Sequence, residues 1–464
     1  SDVCSSDLFE PLRPMRGPLG KGTKIGFCQV AGSIEEVHIP EGLRARHTHI
    51  VGQPGMGKTS MMENMILHEI EQGHGVAVLD PHGDLIDYVL RHIDEQDVDR
   101  VVHFNPGDSE WVPLWNPLTL PQGQDPGRVA DDLVGAIKSV VSGWGDRLEN
   151  LLRYCFLGFL QRPQSTLLDV YNVLRPKSET SGVLKKEILR TVQSVTERRF
   201  WEEDFDRYGK DDFGPPKNKL SKLLASGTLS LTLSQPENCL NLRHIMDHGH
   251  VFLADLSSIG SEVREILGSF LLSLFHLTAL GRQDTRPELR KAFHIYCDEA
   301  HRFVTDALED IIAETRKFNV SLTLAHQYMS QFGRNRAGAI SNAGTTIIFR
   351  VDATDASYFC RSLRGLVTEK DIVSLDDCRA IARVGHEILR INTRLPRQKK
   401  VNDLKDRIVA NSRRKYCKPV EEVRRIVGRI HGVTPVHKPQ AQTKINRRRS
   451  EPSAVGEFEY GGIE

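Results

Sequence analysis

Long apolar runs are what this chain of 464 residues most plainly lacks. The two longest, Leu151–Leu160 and Phe270–Leu280, fall short of the ~20 residues that cross a bilayer as a helix, and polar side chains interrupt both. No secretory leader is visible. Paired cysteines are missing as well. The eight present (Cys4, Cys28, Cys155, Cys239, Cys297, Cys360, Cys378 and Cys417) include no C-x-x-C spacing. That argues against a zinc site and a disulfide framework, and for reduced thiols in a cytoplasmic compartment. Net charge is almost nil: +1 at neutral pH sets up no field that would draw the whole molecule to nucleic acid. The average conceals an asymmetry, since residues 397–449 hold 17 Lys and Arg against 4 Asp and Glu, which leaves the remainder acidic.

The length accommodates two to three domains, or one large domain carrying an insertion. A content of 39% apolar and 27% charged residues is that of a soluble globular chain. Short β-like pieces at Lys24–Val30 and Glu36–Ile39 read as a lead-in. His47–Val51 reads as a strand, followed by a Gly-rich turn and a helix over Thr59–Gln72, whose Met62, Met65, Ile66 and Ile70 recur at helical spacing. Gly73 and Gly75 stop that helix. A strand at Val76–Leu79 then ends in Asp80-Pro81-His82-Gly83-Asp84, completing the strand–helix–strand unit of a parallel sheet.

From about residue 125 to 245 the pattern is helical. Leu148, Leu151, Leu152, Cys155, Phe156, Phe159 and Leu160 form one buried face, and further helices are predicted at Arg128–Val141, Thr166–Leu174, Gly182–Phe205 and Asn218–Leu224. Strands return at His250–Leu256, Ala292–Cys297, Val320–Ala325, Thr345–Val351 and Glu387–Ile391, with helices at Glu262–Leu280 and Asp306–Phe318. This order predicts one α/β domain, residues 46–120 and 246–395, interrupted by an all-α insertion at 121–245. A lead-in at 1–45, partly β or disordered, precedes it. A basic tail at 396–464, partly helical or disordered, follows.

Gly52-Gln53-Pro54-Gly55-Met56-Gly57-Lys58-Thr59 fits G-x-x-x-x-G-K-[ST], with Ser60 continuing the helix that it opens. Glycines let the backbone wrap phosphates, and its N–H groups form an anion nest. Lys58 is placed to neutralise the β and γ phosphates and Thr59 to hold Mg²⁺. An apolar strand ending in Asp298-Glu299 supplies the second element: Asp298 for the metal, and Glu299 to polarise the attacking water. No guanine-reading N-K-x-D occurs, so ATP is the expected nucleotide.

Gln327 ends the next strand, where parallel-sheet ligand crevices form, and is the candidate γ-phosphate sensor. Arg316 and Arg350 are candidates to act on a neighbouring subunit's phosphates. Asp80 and Asp84 face the same sheet edge. In the loop predicted at Gly333–Gly338, Arg334 and Arg336 are candidates for a phosphate backbone, with an exposed turn as the equal alternative. Arg413-Arg414-Lys415 and Arg447-Arg448-Arg449 fit either DNA contact or a solvated terminus.

Taken in order, His47-Thr-His-Ile-Val-Gly-Gln-Pro-Gly-Met-Gly-Lys-Thr59, Leu79-Asp-Pro-His-Gly-Asp-Leu85, Tyr296-Cys-Asp-Glu-Ala-His-Arg-Phe303, Glu314-Thr-Arg-Lys-Phe318, Leu324-Ala-His-Gln327 and Ser341-Asn-Ala-Gly-Thr-Thr-Ile-Ile-Phe-Arg-Val351 resemble the conjugative coupling proteins of type IV secretion systems. These are TraG/TraD-like ATPases of the HerA/FtsK superfamily. The resemblance spans about residues 45 to 395. It implies a RecA-like P-loop NTPase with a mostly parallel central sheet and an all-α inserted domain. It further implies a homo-hexameric ring with ATP and Mg²⁺ at subunit interfaces, DNA through its centre, and relaxase or secretion-channel components as partners. The family's sensor Gln and trans arginine fall at Gln327 and at Arg316 and Arg350.

The membrane helices that many members carry ahead of this region have no counterpart in the sequence, which begins at Ser1. Membrane contact is therefore expected only through an upstream segment or a partner, at the cytoplasmic face of the inner membrane. Three other readings stay open: a HerA-like translocase or helicase subunit, a secretion ATPase for protein substrates, and a nucleotide-gated assembly scaffold.

Overall fold

The structure, a computed structural model, describes residues 21–30, 32–140, 143–175, 178–305, 307–394 and 403–432. The segments Gly75–Asp80 and Val320–His326 are buried at every position. Such runs suit strands covered by helices on both faces, the usual setting of a parallel sheet.

Thirteen strands are present among the described residues: β1 Gly22–Val30, β2 Ser33–Pro40, β3 Thr48–Val51, β4 Gly75–Asp80, β5 Val101–Phe104, β6 Trp111–Pro113, β7 Val251–Asp255, β8 Phe293–Cys297, β9 Val320–His326, β10 Thr345–Ile348, β11 Arg379–Val384, β12 Glu387–Asn392 and β13 Cys417–Pro419. Eleven of them make one sheet in the order β2-β1-β12-β11-β10-β3-β9-β8-β4-β7-β5. From β10 to β5 every pairing is parallel. From β10 outward to β2 every pairing is antiparallel. The fold is thus α/β with a mostly parallel central sheet. Residues 22–40 form a hairpin that extends this sheet through β1 and β12.

One face of the sheet carries the helices Lys58–Glu71 and Asp84–His92, packed on Ile50, Val76, Val78 and Leu253. The other face merges with the helical block between β6 and β7. Ala77, Phe104, Phe252 and Ile295 lie in one apolar core with Leu133, Leu152, Phe156 and Phe270. The helix Ser261–Gly281 threads this shared core. The short run Phe270–Leu280 is thus extended by its flanks into a helix long and apolar enough, by length and composition, to cross a membrane. Yet 83% of that stretch is buried inside the fold, as befits a central core helix.

Several predicted elements are redrawn. The single helix expected over Gly182–Phe205 is broken at Val192, which is extended, into Glu179–Thr191 and Val195–Arg199, and a π-turn follows at Phe200–Asp204. The break aims Phe200 and Trp201 into a ring cluster with Tyr154, Phe205 and Phe213, and this aromatic packing overrides helical continuity. The helix expected to end at Phe318 runs over Leu308–Glu314 and tightens into a 3₁₀ turn at Thr315–Phe318, closed by left-handed Asn319. The basic segment at 413–415 lies within a helix, Lys405–Tyr416, that folds back on the β5 edge. There Arg413 pairs with Asp108 at 3.0 Å, Lys415 with Asp99 at 3.1 Å and Lys405 with Asp87 at 2.6 Å. Arg447–Arg449 lie outside the described residues.

Candidate active site

Strand register decides whether the motifs meet. Val51 pairs with His326 across β3 and β9, and Cys297 pairs with Leu324 across β8 and β9. All three strands are parallel, so the turn after β3, the carboxylates after β8 and Gln327 after β9 emerge at one level of the same sheet edge. β9 lies between β3 and β8.

The turn Gly52–Gly57 is stitched to its neighbours through its backbone. Gly52 N donates to His326 O at 3.3 Å, Gln53 N donates to Arg350 O at 2.9 Å, and Met56 O accepts from Cys378 N at 3.0 Å. A Cβ on Gly52 would stand 2.5 Å from Phe349 Cβ, and Gly57, at φ +100°, enters the helix from the left-handed region. Both positions therefore require glycine. Pro54 and Gly55 are exposed, Met56 is buried, and Thr59 and Ser60 stand half-buried in the first helical turn. Lys58 Nζ donates to the loop's own carbonyls, Gly52 O at 2.6 Å and Gln53 O at 3.0 Å. Burial pushes its pKa below the ordinary lysine value, and the charges of Glu299 and Asp298 oppose that fall.

Asp298 N donates to Leu79 O at 3.2 Å, which ties the acid pair to the end of β4. Burial, with the neighbouring Asp80 and Glu299 carboxylates, pushes the Asp298 pKa up to about 6. Asp80 is itself buried, held by the His82 and Ile86 amides at 2.8 and 3.1 Å. Three carboxylates thus converge behind Lys58, a set whose mutual repulsion a divalent cation relieves. Glu299 adopts φ +48°, a left-handed conformation that costs a non-glycine residue about 1–2 kcal/mol.

The Gln327 amide donates to Glu299 Oε1 at 2.8 Å. Two residues that sequence reasoning passed over complete the cluster. His301 Nδ1 lies 3.5 Å from Glu299 Oε2. Gln331 Oε1 accepts from Gln327 N at 3.0 Å, and its Nε2 is 3.3 Å from His301 Nε2. Their polar spacing after each strand, Glu299-x-His301 and Gln327-x-x-x-Gln331, was the available signal. Beneath the P-loop, His49 and His326 stack with Nε2 atoms 2.6 Å apart, and burial holds both imidazoles neutral.

The arginines part company. Arg350 stands beside its own P-loop, its guanidinium 3.4 Å from Leu375 O and 3.7 Å from Asp377. Arg316 precedes β9 and therefore sits on the opposite sheet edge, exposed, at a cavity of about 780 Å³ shared with Arg46, Arg364 and Arg383. In this chain it does not approach Lys58. The loop expected at Gly333–Gly338 is instead part of a helix, Gly333–Ile340. Ala339 and Ile340 are buried in the core and draw the segment into a helical turn. Arg336 is half-buried on it. The side chain of Arg334 lies outside the described residues.

Residues 31–202 match the family model described as the type IV secretion-system coupling protein DNA-binding domain. A search of the curated proteins finds no match. Among solved structures, the plasmid coupling protein TrwB in complex with the non-hydrolysable GTP analogue GDPNP aligns at TM-score 0.60 and 16% identity, over 82% of this chain and 92% of that one. The TrwB complex with ADP and Mg²⁺ aligns at 0.57 and 15%, over 83% and 92%. VirB4 of Thermoanaerobacter pseudethanolicus aligns at 0.56 and 16%, over 82% and 97%. The resemblance carried by the motifs is borne out: the chain has the fold of the plasmid coupling protein TrwB, and its residues 31–202 match the coupling-protein family model.

Proposed function

We propose that the chain hydrolyses ATP and uses the energy to move DNA, as the coupling ATPase of conjugative transfer through a type IV secretion system. The observation that carries this reading is the meeting of Lys58, Asp298, Glu299 and Gln327 on one sheet edge, with Gln327 bonded to Glu299. The nucleotide complexes of TrwB support ATP with Mg²⁺ as the ligands. Residues 52–60 would cradle the phosphates, and Thr59 and Asp298 would hold the cation. When bound, Mg²⁺ supplies charge neutralisation at the transferred phosphoryl group.

The residues divide the remaining work. Lys58 releases the Gly52 and Gln53 carbonyls and turns its charge to the phosphates. Glu299 takes the proton of the water that attacks the γ-phosphorus, and ADP and phosphate leave. Gln327 exchanges Glu299 for the γ-phosphate. Its backbone bond to Gln331 passes that exchange to the helix Gly333–Ile340, which carries the candidate DNA contacts Arg334 and Arg336. Arg316, on the far edge, serves the site of the next protomer in a homo-hexamer. In this reading residues 46–120 and 246–395 are the motor and 121–245 the inserted helical domain. Relaxase or channel components are the partners, and the molecule works at the cytoplasmic face of the membrane.

The test is ATP hydrolysis with and without single- and double-stranded DNA, on protein sized by light scattering. DNA-stimulated turnover that is lost in Lys58→Ala and Glu299→Gln is the expected result. Robust hydrolysis indifferent to DNA over a range of salt would move the assignment to protein cargo. Turnover near zero under all conditions would leave a nucleotide-gated scaffold.

A further inference from the structure

At the sheet edge remote from the P-loop, Glu69, His74 and His294 bring one ligand atom each within 4.8 Å of the others. Glu69 closes the P-loop helix, His74 leads into β4, and His294 lies in β8. Glu69 Oε2 is 2.6 Å from His74 Nδ1 and 3.2 Å from His294 Nε2. Two N or O ligands of a tetrahedral Zn²⁺, bonded at about 2.0–2.1 Å, stand roughly 3.3 Å apart. Small side-chain adjustments therefore admit the ion.

Three features make this more than a buried ion pair. The other Glu69 oxygen is already held, by Thr23 Oγ1 at 2.6 Å and Arg44 Nε at 2.9 Å, which leaves Oε2 turned toward the imidazoles. His294 Nδ1 lies 2.8 Å from Ser321 Oγ. That hydroxyl also accepts from Arg44 at 3.0 Å, and its second lone pair suits an Nδ1–H donor, the tautomer whose Nε2 ligates metal. His294 is 4% exposed, and its Nε2 faces Glu69 Oε2 at 3.2 Å without the alignment of a well-formed hydrogen bond. The cluster also borders a cavity of about 870 Å³ that reaches His38 and His68 and gives entry to an ion and a water ligand.

We propose that Glu69, His74 and His294 form a binding site for a divalent first-row transition ion, Zn²⁺ foremost, with the fourth position open to the cavity. Two imidazoles and a carboxylate are a borderline donor set suited to that ion. The sequence argued against zinc from its cysteines, and this site uses none. Its placement gives it a role. The P-loop helix has Lys58 at one end and Glu69 near the other, while β8 has His294 near its start and leads into Asp298-Glu299. The ion would clip the far ends of the two elements whose near ends hold the catalytic groups.

The experiment uses the full chain stripped with a chelator. Zn²⁺ is titrated against a chromophoric chelator, Co²⁺ serves as a spectroscopic probe, and thermal unfolding is followed in parallel. One equivalent of Zn²⁺ that raises the melting midpoint, with a tetrahedral Co²⁺ visible spectrum, is expected. Affinity should fall at least about tenfold in His74→Ala and in His294→Gln. His74 sits on a half-exposed turn, so its removal keeps the fold testable. His244→Ala with His248→Ala, on the exposed histidine cluster before β7, is expected to change nothing. Absence of stoichiometric binding in the unsubstituted chain overturns the site. So does binding that survives both ligand substitutions or that depends on His244 and His248.

Discussion

The Gln327 amide donates to the Glu299 carboxylate across 2.8 Å, so the proposed sensor and the proposed base occupy one another. An amide cannot keep that bond and also turn to a γ-phosphate. In the proposed mechanism, nucleotide binding therefore releases Glu299 as Gln327 turns to the γ-phosphate. Gln327→Ala removes the exchange while leaving the P-loop untouched. Nucleotide affinity should stay within about threefold, since uniform binding is not lost, whereas stimulation of turnover by DNA should flatten. Steady-state hydrolysis measured with increasing DNA decides it, and stimulation of normal size would show that Gln327 couples nothing.

Glu299→Gln keeps the shape of the side chain and removes its basicity. Turnover should fall by about 10²–10⁴ with nucleotide binding preserved, because general-base catalysis contributes on that order. Lys58→Ala should instead lose binding itself. Titration with a fluorescent nucleotide beside a hydrolysis assay separates the two. Equal loss of affinity in both variants would remove Glu299 from the role of base.

At Gly52 the constraint is steric. An added methyl group would meet Phe349 Cβ at 2.5 Å, and Phe349 is fully buried. Gly52→Ala should destabilise the chain by about 1–3 kcal/mol, the usual cost of overpacking, and abolish nucleotide binding. A denaturant titration that matches the unsubstituted protein would mean that the loop relaxes freely.

Asp298 sets a pH dependence that can be signed. Its folded pKa of about 6 lies above the ordinary 3.8. Between those values the folded chain keeps a proton that the unfolded chain has lost. Stability is therefore fully present below about pH 4 and falls as pH rises through 6, by about 2–3 kcal/mol. Asp298→Asn removes the penalty. Without nucleotide and with chelator present, it should melt above the unsubstituted protein at pH 7.5, and the gap should close toward pH 4. An Asn variant that melts no higher at pH 7.5 would place the charge cost elsewhere.

Some of this was legible in the sequence and some was not, for physical reasons. Backbone wrapping of phosphate restricts residue type so tightly that Gly52–Thr59 reads directly. The fully buried runs of β4, β8 and β9 read as strands because parallel strands bury both faces. β5 and β11 escaped notice. Val101–Phe104 has only four residues, and Arg379-Ala-Ile-Ala-Arg-Val384 mixes arginine with small residues and so resembles a solvated segment. The left-handed Glu299, the Gln331 relay and the Arg44–Glu69–His294 network depend on residues brought together across strands, which no local spacing encodes.

The two arginines make separable predictions because they leave opposite edges of the sheet. Arg350 flanks its own P-loop and fixes Gln53 through its carbonyl, a contact that any side chain preserves. Arg350→Ala should therefore alter hydrolysis modestly, by releasing Asp377 and the Leu375 carbonyl. Arg316 is exposed on the far edge, away from its own P-loop, and in the proposed ring it would serve another copy's nucleotide. Arg316→Ala should bind nucleotide normally yet lose about 10³-fold or more in turnover, the scale of a trans arginine. Mixing decides between cis and trans. In rings that combine Arg316→Ala subunits with Lys58→Ala subunits, some interfaces pair an intact P-loop with an intact Arg316. Such mixtures should recover activity that neither variant has alone. If no mixing ratio restores hydrolysis while co-purification of differently tagged subunits confirms mixed assemblies, Arg316 does not act across the interface.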